Sequence, residues 1–132
     1  MAEKLGTTET QRNSSYLESP PLYTFFMLVK TTPRWLQAPE SVRTAFMKDE
    51  VMPLLKRWPD VTLRYYDAEF FTTRCSDVMV WETKNLVAYQ ALVEKLRDTL
   101  FWDTYFEIVE IIPAMEVAYA SLDNAPAVDQ AT

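Results

Sequence analysis

The sequence predicts an α+β domain of ferredoxin-like order, βαββαβ, with a four-stranded antiparallel sheet carrying two helices on one face. Three observations predict it. Four short runs rich in β-branched and aromatic residues, Leu22–Lys30, Val61–Asp67, Asp77–Glu82 and Tyr105–Ile112, read as strands. Two intervening segments repeat their apolar residues at helical spacing. Thr32-Pro33, Trp58-Pro59 and Ile112-Pro113 punctuate the runs. At 132 residues, 48% hydrophobic and 14% aromatic, the chain suits one domain with a sizeable core.

Residues 1–21 are polar, rich in Ser and Thr, and close on Ser19-Pro20-Pro21, so a flexible N-terminal arm is expected there. The folded domain is expected over 22–122, followed by a disordered tail over 123–132. The first strand is bulky on both alternations, as a central strand covered on two sides should be. Pro39-Glu40 opens a helix whose Val42, Phe46, Met47, Val51, Leu54, Leu55 and Trp58 share a face, with a kink expected at Pro53, which removes a donor from the ladder. After the second strand, Ala68–Thr73 is expected as a turn in which Phe70 and Phe71 are anchors. The third strand follows it in a hairpin. Thr83 or Asn85 can cap the second helix, whose Leu86, Tyr89, Val93, Leu96 and Leu100 make an apolar stripe. Pro113 is expected to stop the fourth strand, with one or two helical turns over 114–122.

Right-handed crossovers place both helices on one sheet face and leave the other open. Its large apolar side chains call for a cover; a second copy of the same face supplies one, giving a two-fold dimeric α/β barrel, and a larger partner domain would do as well. The runs Tyr23–Pro33 with Trp35-Leu36, Ser76–Val78 through Trp81–Thr83, Ala88–Val93, and Phe101–Asp103 leading into Tyr105–Pro113 resemble the darcynin family over roughly residues 22–120. The resemblance implies a small α+β domain of the dimeric barrel type. It brings no catalytic residues with it.

Composition narrows the function. Histidine is absent, and the lone glycine is Gly6, so Ser-His-Asp and Cys-His pairs, histidine-bound metals and haem, and glycine-rich phosphate loops have no residues to build them. Thirteen basic against nineteen acidic residues give a net charge of −6 with no basic run, which argues against nucleic acid. One cysteine, Cys75, and the lack of a signal-peptide pattern or membrane-length apolar run lead to the expectation of a cytoplasmic protein outside the membrane.

The densest polar and aromatic constellation runs from Arg64 to Asp77. Carboxylates tuned by burial are competent acids and bases, so Asp67, Glu69 and Asp77 are the acid–base candidates, with Tyr66 as hydroxyl donor and Arg64 or Arg74 as anion holder. Lys30, Met79 and Trp81 complete the candidate substrate-binding set. The more apolar residues Val61, Leu63 and Tyr65 should face the helices, which turns Arg64 and Tyr66 toward a cavity on the open face. Asp77, Met79 and Trp81 share one face of the third strand. The bland alternative makes the charged residues surface ion pairs around a hairpin loop, Lys30 an exposed strand end, and Trp35, Trp81 and Trp102 packing residues.

No metal and no cofactor is expected. The reading is a cofactor-independent enzyme for a small hydrophobic or aromatic molecule, carrying out an isomerisation, cyclisation, decarboxylation or similar lyase or isomerase step. The alternative is a non-catalytic small-molecule-binding or protein-interaction module.

Overall fold

The computed structural model describes residues 20–117. Tyr23–Ala114 form one compact unit, while of the other described residues Leu22 and those at 115–117 belong to a second. The expected arm, apart from Pro20 and Pro21, and the expected tail lie outside the described residues. In chain order the elements are β1 (Tyr23–Thr31), α1 (Pro33–Gln37), α2 (Glu40–Phe46), a π-helical stretch (Met47–Val51), α3 (Met52–Arg57), β2 (Val61–Asp67), β3 (Asp77–Thr83), α4 (Leu86–Arg97) and β4 (Phe106–Met115). The sheet order is β2-β3-β1-β4, and β3 pairs antiparallel with both neighbours. This is the α+β, four-stranded antiparallel architecture that the alternation of strands and helices predicts.

Register fixes the two sheet faces. Met27 lies opposite Met79 and Phe25 opposite Trp81, while Leu63 faces Trp81 and Tyr65 faces Met79 from the other side. These side chains share the helix-covered face, because side chains directly across a ladder project together. The core there joins Met27, Val29, Val61, Met79 and Trp81 to Phe46 and Val51 of the first helical region and to Ala88, Leu92 and Leu96 of α4. The buried stripe of α4 is therefore Ala88-Leu92-Leu96. Leu86 and Leu100, expected on it, are exposed, and the helix stops at Arg97. Asn85 is the cap, accepting the Ala88 N–H at 3.1 Å, while the Thr83 hydroxyl donates to the Asp60 carbonyl.

Three local expectations meet the structure. At Pro53, where a kink is expected, the turn before the proline widens, and the Met52 N–H reaches back five residues to the Met47 carbonyl. A π-turn absorbs the donor that proline removes. Phe70 and Phe71 anchor nothing, being 75% and 87% exposed at the turn tip. Pro113 does not stop β4, which continues to Met115. As an edge strand, β4 tolerates a residue without an N–H.

The connection after β1 folds where none was expected. The Thr32 side chain accepts the Trp35 N–H at 3.3 Å and starts α1, and its hydroxyl donates to the Thr104 carbonyl at 2.7 Å. That capping holds Trp35 against Phe46, Tyr105 and Phe106, with ring centroids 6.1, 5.1 and 4.9 Å away. Behind Phe106, Phe101 stacks at 4.5 Å with a 22° interplanar angle. Between them, Asp103 takes φ 67°, a left-handed turn that aspartate tolerates better than most residues.

Candidate functional site

The β2–β3 connection brings carboxylates together. Asp67 and Asp77 are direct cross-strand partners, and the Ala68 N–H donates to the Ser76 carbonyl at 2.8 Å to close the loop. Ser76 is clamped in turn: its hydroxyl oxygen accepts the Thr31 N–H at 2.9 Å and its O–H donates to Asp77 Oδ2 at 2.7 Å. Like charges directly opposed on a sheet are unfavourable, so the pair needs a proton between its members or a functional reason to persist.

Of the two, Asp77 has the carboxyl that holds its proton more tightly than usual. Only 6% of the residue is exposed, and desolvation raises its carboxyl to about 6. The Ser76 hydrogen bond opposes the rise, while the neighbouring Asp67 carboxylate and the charge of Glu69 add to it. Desolvation also raises the Tyr65 hydroxyl above the ordinary tyrosine range, helped by Asp77, Asp67 and Glu69.

These groups open into a cavity of about 340 Å³ on the helix side of the sheet. Asp67, Glu69, Asp77 and Tyr65 form its polar wall, and Trp35, Met47 and Phe106 its apolar one, with Arg43 of α2 between. Asp67, Asp77 and Tyr65 sit on the covered alternation of the sheet and therefore line this cavity, not the helix-free face on which the sequence reading expected a cavity between two copies. Sequence reasoning brought the three acids together correctly. It missed Tyr65 and Arg43. Arg43 had a readable signal, because it shares a helical face with Phe46 and Met47, at spacings of three and four, where a charge is out of place unless it serves a site.

The other candidates lie elsewhere. Arg64 and Tyr66 occupy the opposite alternation of β2. Arg74 ion-pairs with Glu110, both on the surface. Lys30 donates to the Thr73 carbonyl at 3.3 Å. Met79 and Trp81 are fully buried beneath the helices, so packing against α4 and not ligand contact occupies them. Cys75 is buried too. Among the described residues no three of Cys, Asp and Glu are arranged to hold a metal ion, and no helix is long and apolar enough to cross a membrane.

A second, larger cleft of about 650 Å³ runs between α4 and β4. Phe25 and Tyr89 stack at 3.9 Å in its floor, and Arg97 lies 5.5 Å over the Trp102 ring at its end. Ile111 and Pro113 of β4 line it as well.

Comparison with known proteins places this geometry. A family model described as "Darcynin, domain of unknown function" matches residues 5–132. A darcynin homologue from Granulibacter bethesdensis is 47% identical over 110 residues, covering 83% of this chain and 89% of the relative. Another from Streptomyces avermitilis is 44% identical over 104 residues, covering 78% and 86%. Among solved structures, a dimeric chlorite dismutase from Nitrobacter winogradskyi superposes with a TM-score of 0.63 at 17% identity, over 74% of this chain and 60% of that one. A mutant chlorite dismutase from Candidatus Nitrospira defluvii gives 0.65 at 13% identity, over 83% of this chain; the match spans 46% of that longer protein. Similarity at this level of identity is a similarity of fold.

Proposed function

The chain belongs to the darcynin family, whose function its description leaves open, and from that premise we propose that it is a cofactor-independent acid–base enzyme for a small hydrophobic or aromatic molecule. The observation that carries the reading is the Asp67–Asp77 pair: a carboxyl raised to about 6, opposed by a second carboxylate, on the wall of a cavity. Near neutral pH such a group is populated in both protonation states, as a general acid or base requires. Asp77 is assigned the proton transfer, Asp67 holds its proton in place, and Glu69 sets the negative field at the rim. The apolar wall of Trp35, Met47 and Phe106 binds the substrate body and keeps water from the carboxyls. The class of reaction is an isomerisation, cyclisation or decarboxylation in which a proton moves on or off carbon.

The test is hydrogen–deuterium exchange at the α-carbon of acetophenone, phenylacetaldehyde and phenylpyruvate, followed by NMR. The wild type is expected to catalyse exchange of at least one of them, with an apparent pKa of about 6. Asp77→Asn is expected to be slower by roughly 100-fold or more. Equal rates in the two proteins remove the acid–base assignment. The larger aromatic cleft favours a second reading, ligand capture without chemistry, in which Asp77→Asn changes nothing.

The same proposal includes a homodimer through the helix-free face and a cytoplasmic address, the latter supported by a lone, buried cysteine. On that face Phe26 lies opposite Val80 and Leu28 opposite Val78, with Tyr66 flanking Val78 from β2. Phe26 is 37% and Tyr66 48% exposed. Such a contiguous apolar surface suits a second copy. Val80→Asp is expected to convert the dimer to a monomer in light scattering, and a wild type that is already monomeric overturns this part.

A further inference from the structure

The acidic cavity carries more negative charge than its own walls compensate. Asp67, Glu69 and Asp77 line it against a single guanidinium, that of Arg43, an excess of two negative charges when all are ionised. None of the three ion-pairs with Arg43; among the described residues the ion pair formed is Arg74–Glu110, outside the cavity. Asp77 also keeps an open acceptor. Only 6% of the residue is exposed, and its Oδ2 accepts the Ser76 hydroxyl at 2.7 Å. Its Oδ1 meets no donor among the described residues, yet it is not sealed in as Arg43 Nε and Trp81 Nε1 are, so it opens on the cavity that Asp77 lines. A buried carboxylate oxygen left without a donor, opposite a second carboxylate, is costly, and native structures keep such a group where something outside the chain satisfies it.

We propose that the cavity recognises a small organic cation, a primary ammonium with an aromatic or apolar body, and that Asp67 and the open oxygen of Asp77 receive its N–H donors. The inference rests on the reading of this cavity as a substrate site and names the substrate class. An ammonium brings three donors and one positive charge, so it satisfies the free oxygen and offsets the repulsion between facing carboxylates in one contact. Glu69 at the rim adds attraction for a cation approaching from solvent. The cation is organic and not a metal ion, because Asp67, Glu69 and Asp77 are not arranged to hold one, while Trp35, Met47 and Phe106 offer an apolar wall to a carbon body. The ammonium takes over from a shared proton as the positive charge beside the pair. Asp77 is then kept ionised, the form in which a base works.

Binding of phenethylammonium, phenethyl alcohol and phenylacetate to the full-length chain at pH 7.5 tests this, read by calorimetry and tryptophan fluorescence. Wild type is expected to bind the ammonium at least about tenfold more tightly than either of the other two, the usual worth of a hydrogen bond to a charged group. Asp67→Asn is expected to lose about tenfold in ammonium affinity, and Glu69→Gln, at the exposed rim, about threefold. Glu110→Gln changes the net charge by the same amount outside the cavity and is expected to leave the affinity unchanged. Calcium chloride at matched ionic strength is expected to displace none of the bound ammonium. Equal affinity of wild type for ammonium and alcohol, no binding by wild type, equal losses in Asp67→Asn and Glu110→Gln, or displacement by calcium overturns the assignment. If Asp77→Asn retains full exchange activity while the ammonium preference holds, the acid–base reading fails and the cation site stands. If exchange depends on Asp77 but the ammonium binds no better than the alcohol, the cation site fails and the acid–base reading stands. Should Asp67→Asn fail to fold, the comparison of ligands on wild type still decides.

Discussion

Replacing Asp77 by Asn is expected to stabilise the folded protein at pH 7 by up to about 3 kcal/mol while slowing the exchange reaction proposed for it. The folded-state value of about 6 stands roughly 2.2 units above the ordinary 3.8, and each unit corresponds to about 1.36 kcal/mol. The sign follows from the direction. Because the folded state holds this proton more tightly than the unfolded chain, Asp77 favours folding fully below about pH 4, and that contribution is lost as pH rises through about 6. At pH 7 the fold carries an ionised carboxylate that is 6% exposed and faces Asp67. Asparagine makes the protonated arrangement permanent, since its amide donates to Asp67 and its oxygen accepts from Ser76. In urea titrations at pH 4.5, 6 and 7.5 the gap between variant and wild type should open with pH and level off above 7. Titrations common to both proteins cancel in that difference, so a gap independent of pH sinks the prediction.

Phe101→Ala is expected to cost about 3–5 kcal/mol, the range for emptying a large buried aromatic site. Phe101 is fully buried, and it stacks on Phe106, which forms part of the cavity wall. The loss should therefore show twice: as a lower urea midpoint at unchanged slope, and as weaker ligand binding at a denaturant-free temperature where the variant is still folded. A destabilised variant with full ligand affinity would show that Phe106 keeps its place without support from behind.

Much of the fold was legible in the chain because period-two and helical patterns are local. On β2 the alternation of Val61, Leu63 and Tyr65 with Thr62, Arg64 and Tyr66 is lopsided enough to assign faces, and the assignment agrees with the register. On β3 it is not. Asp77, Met79 and Trp81 alternate with Val78, Val80 and Glu82, two apolar residues and one acid on either side, so hydrophobicity has no majority to follow. Pairing with β1 and β2 decides, and it sends Asp77 inward beside Asp67. The location of the cavity was illegible for a similar reason. Its apolar wall depends on Trp35, on an unforeseen one-turn helix held by Thr32, whose hydroxyl reaches Thr104 across 72 residues. The three acids were readable as a cluster because only ten residues and one hairpin separate them.

The wide turn at Met47–Val51 carries a consequence of helical phase. A π-turn accommodates one residue more than the α-helix around it, and each residue rotates a helix by about 100°. The two halves of this helical region are thus set out of step: Val51, Leu54 and Leu55 meet the core in one phase, and Arg43, Phe46 and Met47 in another. Removing a single residue from the stretch would restore an unbroken α-helix and leave every side chain present. It would also swing α2 by about a quarter turn or more and carry Arg43 off the cavity. The irregularity acts as an angular spacer, letting one amphipathic segment serve a sheet at one end and a binding site at the other.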